Sequence, residues 1–267
     1  MLDSVRPMSR DSRAEAGITG APGEPARHIV AMGGGGFSME PEDPFLDDFV
    51  LSLAAARAVA LRRDRPRICL VPTASGDDPV LVRDFFDSFA RRSDASWLPL
   101  FARAGRDPRE LLLDQDVIYV GGGNTANMLA VWRIHRVDLA LRDAWEQGIV
   151  LAGLSAGSLC WFGGGITDSF GPGLTTLRDG LGMLPMTNCP HYDGETLRRP
   201  TYERAIADGL PGGFAADDGA ALHFVGTDLV EVVTSRPDAG AYRVELVDGT
   251  VVETRLSSRY LGEPEAS

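Results

Sequence analysis

Gly153, Leu154, Ser155, Ala156 and Gly157 form a G-x-S-x-G pattern at the end of the apolar run IVLAGLS (149–155). Between a strand and a helix, such a pattern bends the chain sharply and leaves the serine hydroxyl exposed, because its small neighbours let the backbone turn beneath it. The chemistry would be nucleophilic attack by Ser155. A serine hydroxyl is a weak nucleophile at neutral pH, so it needs an imidazole to take its proton and a third group to orient the ring. The chain has four histidines. His28 opens a strand at the end opposite such a bend, and His135 lies between Arg133 and Arg136, where a solvated role is expected. His223, in AALHFVG, reads as a sheet histidine and is the reserve base. His191, in NCPHYDG (188–194), sits in an irregular segment after a short apolar run and is the preferred base, since bases of this kind are commonly mounted on loops.

Asp168, Asp193, Glu195, Asp217 and Asp218 all lie downstream of Ser155 in expected loops or turns, and spacing alone does not choose the orienting acid among them. Asp168 is ranked first. It follows Gly163, Gly164 and Gly165, a flexible approach that would bring it beneath His191, whereas Asp193 and Glu195 suit a helix cap. Gly121, Gly122, Gly123, Asn124 and Thr125 end another apolar strand (116–123), where bare backbone N–H groups approach a substrate closely. One N–H of this turn, with that of Ala156, would supply the two donors that a tetrahedral oxyanion requires. Asn124 beside them is a candidate substrate-binding residue. Neither this turn nor the glycine run at 33–36 gives G-x-G-x-x-G with its acidic partner or G-x-x-x-x-G-K-[ST], so nucleotide binding is not expected.

These residues need a frame, and hydropathy supplies one. Short apolar runs at 28–32, 67–74, 96–101, 116–123 and 149–155 alternate with helical patterns at 79–92, 124–132 and 137–147. Leu46, Phe49, Val50 and Leu53 add a helical stripe after the first run. Strands alternating with helices imply an α/β fold, a parallel sheet with helices on both faces and its working site at the carboxyl ends of the strands. That rim would carry the 33–36 turn, 73–75, 121–125 and Ser155. A further helix is expected at 195–208, and the alternating segments after Val225 read as antiparallel hairpins closing one sheet edge.

Residues 1–26 hold few large apolar side chains and read as a loose tail, leaving 27–267 as a single α/β domain. The 267 residues carry 26 Lys and Arg against 38 Asp and Glu, a net charge of −12, which gives no global attraction to phosphate backbones or anionic membranes. Neither nucleic acid nor a membrane is an expected partner. Cys69, Cys160 and Cys189 form no C-x-x-C pair, which fits a reducing cytoplasm and argues against a disulfide framework or a thiolate zinc site. No apolar stretch reaches the length needed to span a bilayer, and the first residues lack a secretory apolar core. No cofactor or metal is expected.

With GGGNT, GLSAGS, a following Asp168 and PHYDGE in this order, the chain from about residue 27 to 225 resembles the peptidase E (aspartyl dipeptidase) family, whose wider group includes cyanophycinases. The resemblance implies a fold akin to class I glutamine amidotransferases, with serine in place of their elbow cysteine. It matches Ser155 to the family's nucleophile, Asp168 to its acid, His191 to its general base, and Gly122 or Gly123 and Ala156 to its oxyanion donors. It implies a serine exopeptidase acting on short peptides. A preference for N-terminal aspartate calls for cationic side chains, and Arg198 and Arg199, after His191, are the candidates, with Arg204 beyond them. The glycine run at 163–165, the Arg-Arg-Pro step at 198–200 and the hairpin-rich C-terminus depart from the aspartyl dipeptidase pattern. The competing readings are a non-catalytic amidotransferase-like module that binds an amino acid or peptide, and an esterase or amidase of the α/β-hydrolase type, which the early position of His191 disfavours.

Overall fold

Strand β1 (His28–Met32) shows how the main sheet is buried. Its side chains alternate, so Ile29 and Ala31 enter one apolar core while Val30 and Met32 enter another on the opposite face. Around it, in the structure (a computed structural model that describes residues 25–102 and 105–262), the chain forms α1 (Phe45–Ala60), β2 (Arg67–Val71), a 3-10 turn (Thr73–Ser75), α2 (Pro79–Phe89), β3 (Asp94–Trp97), α3 (Pro108–Leu113), β4 (Val117–Val120), α4 (Thr125–His135), α5 (Val137–Glu146) and β5 (Val150–Leu154). Helices α1 and α2 bury Leu46, Phe49, Phe85 and Phe89 on the Val30 face. Helices α3, α4 and α5 bury Leu112, Trp132 and Leu141 on the Ile29 face. The α/β fold, with helices on both faces, is as the alternation implied. Of the expected tail at 1–26, all but Pro25 and Ala26 lies outside the described residues.

The remaining elements are α6 (Ala156–Leu159), β6 (Phe162–Thr167), β7 (Thr175–Leu177), β8 (Leu184–Cys189), α7 (Arg198–Ala207), β9 (Gly213–Ala216), β10 (Ala220–Val225), β11 (Asp228–Thr234), β12 (Ala241–Val247), β13 (Thr250–Arg255) and β14 (Ser258–Tyr260). They depart from expectation in one large respect. The main sheet has the order β14-β11-β10-β1-β5-β4-β2-β3, parallel from β1 through β3 and antiparallel where β10 joins β1. A second, six-stranded sheet has the order β13-β12-β9-β8-β6-β7. The C-terminal strands therefore do not close a single edge: β11 and β14 extend the main sheet, while the β12–β13 hairpin extends the second. Gly163, Gly164 and Gly165, expected as a flexible approach, lie inside β6. The cause is close packing: a Cβ on Gly165 would fall 1.8 Å from the Asn188 carbonyl oxygen, and one on Gly164 would fall 2.3 Å from that of Leu177. Glycine here admits neighbouring backbones and does not loosen the chain.

Phe162, Leu177, Leu184, Phe214, Ala216 and Ala241 of the second sheet share one core with Ile29, Val120, Leu151 and Trp132 of the first. Cys69, Cys160 and Cys189 are free thiols and buried. Among the described residues no helix is long and apolar enough to cross a membrane.

At the pole opposite the carboxyl ends of the parallel strands, Asp116 is fully buried just before β4. It accepts hydrogen bonds from Arg63 Nη1 at 2.7 Å and from the Arg67 backbone N–H at 2.9 Å, and Arg57 Nε stands 3.5 Å away. Removing one partner of a buried ion cluster leaves the others uncompensated, at a cost of about 3–5 kcal/mol. Asp116→Ala should therefore lower the free energy of unfolding in urea by about 3 kcal/mol. It should leave the architecture of the opposite rim, read from its amide NMR shifts, unchanged.

Candidate active site

Ser155 follows β5 and precedes the single helical turn α6, and from Gly148 to Phe162 it is the one residue that is not buried. Its backbone has φ 55° and ψ −112°, a conformation that L-residues rarely adopt. The fold tolerates the bend because Gly153 and Gly157 carry no side chain. A Cβ on Gly153 would fall 2.4 Å from the Gly157 carbonyl oxygen, and one on Gly157 would fall 2.2 Å from that of Val120. The Ser155 N–H donates to the Met32 carbonyl at the end of β1, at 3.2 Å.

His191 reaches the same strand end by another route. Strand β8 delivers the chain through Cys189 and Pro190 to His191, whose N–H donates to the Gly33 carbonyl at 3.2 Å. Ser155 and His191 thus hang from consecutive carbonyls of one short segment. His191 also has a positive φ of 54°. Its Nδ1 lies 2.6 Å from Asp218 Oδ1, and both side chains are largely buried, at 14% and 15% exposure. The hydrogen bond to His191, reinforced by the charges of His191, Arg236 and Arg198, holds the Asp218 carboxyl below the usual carboxylate range against its own burial. Asp193 Oδ1 accepts the Asp218 N–H at 2.8 Å. Gly34 runs beneath the pair, with the position of a Cβ only 2.1 Å from Asp218 Oδ1 and 3.0 Å from His191 Cε1.

The orienting acid is therefore a correction to the ranking. Asp168 is exposed at the end of β6, and Asp218 is the carboxylate on the imidazole. Asp217 is buried and turned away, accepting from the Gly240 N–H at 3.0 Å and the Tyr242 hydroxyl at 3.3 Å. Glu195 is bound to Arg198. What singled out Asp218 was available in the sequence as a pattern: a short apolar strand, GFAA, breaking into Asp217, Asp218 and Gly219, as the other rim strands break into glycine. His28 and His223 pair with each other instead, Nδ1 to Nε2 at 2.9 Å, and Glu231 meets His223 at 3.2 Å. His135 is exposed at the end of α4.

On the far side of Ser155, the position of a Cβ on Gly122 lies 3.4 Å from the serine Cβ. The Gly121 N–H donates to Val71 O and the Asn124 N–H to Ala74 O, but among the described residues no hydrogen-bond acceptor meets the N–H of Gly122, Gly123 or Ala156. Gly123, at φ 133°, closes against the 3-10 turn, where a Cβ would strike the Ala74 carbonyl at 2.3 Å. The three residues expected to bind substrate are otherwise engaged. Asn124 caps α4, accepting from the Asn127 N–H at 2.8 Å and donating to the Ser169 carbonyl at 3.1 Å. Arg198 is 4% exposed, doubly bound to Glu195 and donating to the Ile166 carbonyl at 3.1 Å. Arg199 stands over the rings of Tyr192 and Tyr242, 4.7 and 4.9 Å from their centres, with Glu253 at 3.5 Å.

The model of peptidase family S51 matches residues 29–232, a span that contains Ser155, His191 and Asp218. The chain belongs to peptidase family S51. It is 47% identical over 238 residues to the uncharacterized peptidase YgaJ of Bacillus subtilis (strain 168), covering 88% of this chain and 100% of the relative. It is 32% identical over 143 residues to a peptidase E of Shewanella amazonensis, an alignment spanning 46% of this chain and 56% of that one. Among solved structures it is similar to a peptidase from an acI-B1 Actinobacterium, with a TM-score of 0.65 at 20% identity over 88% of this chain and 96% of that chain. A putative peptidase E from Listeria monocytogenes EGD-e gives a TM-score of 0.51 at 14% identity, over 87% of this chain and 100% of that one. Those two likenesses concern the fold. At the level of the family, the S51 chain is a peptidase E-like hydrolase with a class I glutamine amidotransferase-like fold.

Gly34→Ala should drive its methyl group into the His191–Asp218 pair, and proton NMR should show loss of the downfield resonance expected of an imidazole N–H bound to a carboxylate. A second expectation follows from the lowered Asp218 pKa. A carboxyl whose folded pKa is depressed stabilises the fold above its unfolded value of about 3.9, and the gain vanishes as pH falls through the folded value. Asp218→Asn should therefore flatten the acid edge of the stability curve, measured by urea unfolding from neutral pH downwards.

Proposed function

We propose that this S51 chain is a serine exopeptidase acting on short peptides through Ser155, His191 and Asp218. The observation that carries this reading is the attachment of both the strained serine bend and the carboxylate-bound imidazole to the end of β1, through the Met32 and Gly33 carbonyls. Asp218 accepts from His191 Nδ1–H, which leaves Nε2 as the basic nitrogen. Ser155 Oγ attacks the scissile carbonyl carbon while its proton passes to Nε2. The C–N bond then breaks as that proton moves to the departing amine, leaving an acyl-serine ester. Water attacks the ester in the second half, giving its proton to the same nitrogen, and the serine is regenerated as the acid leaves.

The oxyanion formed in each half is suited to the unpaired N–H groups of Ala156 and Gly122, with Gly123 beside them. No aspartyl preference is part of this proposal, because Arg198 and Arg199 are committed to partners within the fold.

A fluorophosphonate probe should label the folded protein at Ser155, and Ser155→Ala should abolish the labelling. On a library of dipeptides and tripeptides, Asp218→Asn should lower kcat by roughly 10³- to 10⁴-fold, the scale expected when an imidazole loses the acid that fixes its tautomer. Asp168→Asn should retain most of the rate. A folded wild-type protein that takes up no probe and cleaves no peptide would defeat this assignment.

A further inference from the structure

His191 and Asp218 are each one residue away from a member of a second cluster that the proposed chemistry does not use. Tyr192, 2% exposed, follows His191, and its hydroxyl donates to Glu253 Oε2 at 2.6 Å. Asp217, 3% exposed, precedes Asp218, and its Oδ2 accepts from the Tyr242 hydroxyl at 3.3 Å. The Tyr192 and Tyr242 rings lie 5.3 Å apart. Arg199 joins them, with its guanidinium over both faces and Glu253 beside it. These groups come from four places: the segment after β8, the start of α7, the turn after β9 and the β12–β13 hairpin.

We infer that Arg199 is a positioning residue for the active site, a cationic clamp that holds Tyr192 and Tyr242 together and thereby fixes His191 against Asp218. The inference rests on the triad proposed above. Its physical basis is the backbone of His191. A non-glycine residue at φ 54° persists only where its surroundings over-determine it. Three backbone hydrogen bonds hold it: His191 N–H to Gly33 O, Tyr192 N–H to Ala216 O, and Glu195 N–H to His191 O. The Tyr192 ring is the side-chain anchor of the same bend, and Arg199 covers that ring. Through Tyr242 and Asp217 the same guanidinium bears on the turn that carries Asp218. A planar, delocalised cation suits two aromatic faces and a carboxylate at once, and a lysine ammonium does not reproduce that geometry.

The test compares Arg199→Ala, Arg199→Lys and Tyr242→Phe with the wild-type chain, after circular dichroism and thermal melting have established folding. Two readouts are used: peptide hydrolysis across pH, and the downfield proton resonance of the His191–Asp218 hydrogen bond. Arg199→Ala should lower kcat at least tenfold with KM within about twofold, shift the pH–rate profile, and broaden or move the resonance. Arg199→Lys should recover only part of each, and Tyr242→Phe, which deletes one hydroxyl, should move the resonance in the same direction. Should Arg199→Ala fail to fold, Arg199→Lys and Tyr242→Phe carry the test. Folded variants with unchanged kcat and unchanged resonance overturn the proposal. A loss confined to KM also overturns it, because it would place Arg199 on the substrate. The resonance is read without turnover, so it remains decisive for the clamp even if no peptide is cleaved.

Discussion

The closest approach in the molecule that matters for its chemistry is made by bare backbone. Gly33 and Gly34 leave β1 and pass against the turn after β9, so near that a Cβ on Gly33 would lie 2.3 Å from the carbonyl oxygens of both Ala216 and Asp217. Side chains of any size would separate these segments, and the two sheets meet along this seam. Ser155 belongs to the main sheet, while His191 and Asp218 arrive on strands β8 and β9 of the second. The end of β1 touches both layers, taking the Ser155 N–H on Met32 and the His191 N–H on Gly33. The proposed constellation therefore depends on how two sheets dock and on the two glycines that allow it.

Two residues at this place hold disfavoured backbone conformations. Ser155 and His191 both hold positive φ, a conformation costing on the order of 1–3 kcal/mol for each non-glycine residue. The surroundings offset it with backbone hydrogen bonds to Met32, Gly33 and Ala216 and with an apolar core shared by the two sheets. At the far pole Asp116 and its arginines tie down the starts of β2 and β4 by hydrogen bonds and charge. A frame fixed in this way can hold a site whose own residues disfavour their conformation.

Much of this was legible in the sequence, and the boundary between what was and was not is physical. The first half of the chain follows local rules: short continuous apolar strands, helices with one apolar face, and strand ends that break into glycine. Ser155, Gly122 and Ala156 could be placed on one rim from those rules, and His191 was chosen among the four histidines for its setting in a loop. The second half obeys pairings between distant segments. Nothing local to 163–165 distinguishes a flexible glycine linker from a strand pressed against Asn188 and Leu177, and that ambiguity carried Asp168 ahead of Asp218. The partners of Arg198 were hidden for a related reason: its burial follows from its fit to Glu195 and to the end of β6, which only the packed structure displays.

The thiols bring out one more property. Cys160 lies one helical turn beyond Ser155 and Cys189 two residues before His191, yet both are sealed from solvent, as Cys69 is within the main sheet. Burial also raises the Cys189 thiol to about 12, so at neutral pH almost none is present as the nucleophilic thiolate. Oxidants and alkylating agents in the surroundings meet no reactive sulfur while the core stays shut. The molecule thereby keeps soft nucleophiles within a few residues of its working groups without letting them compete, and any sulfhydryl modification becomes a record of how often those layers part.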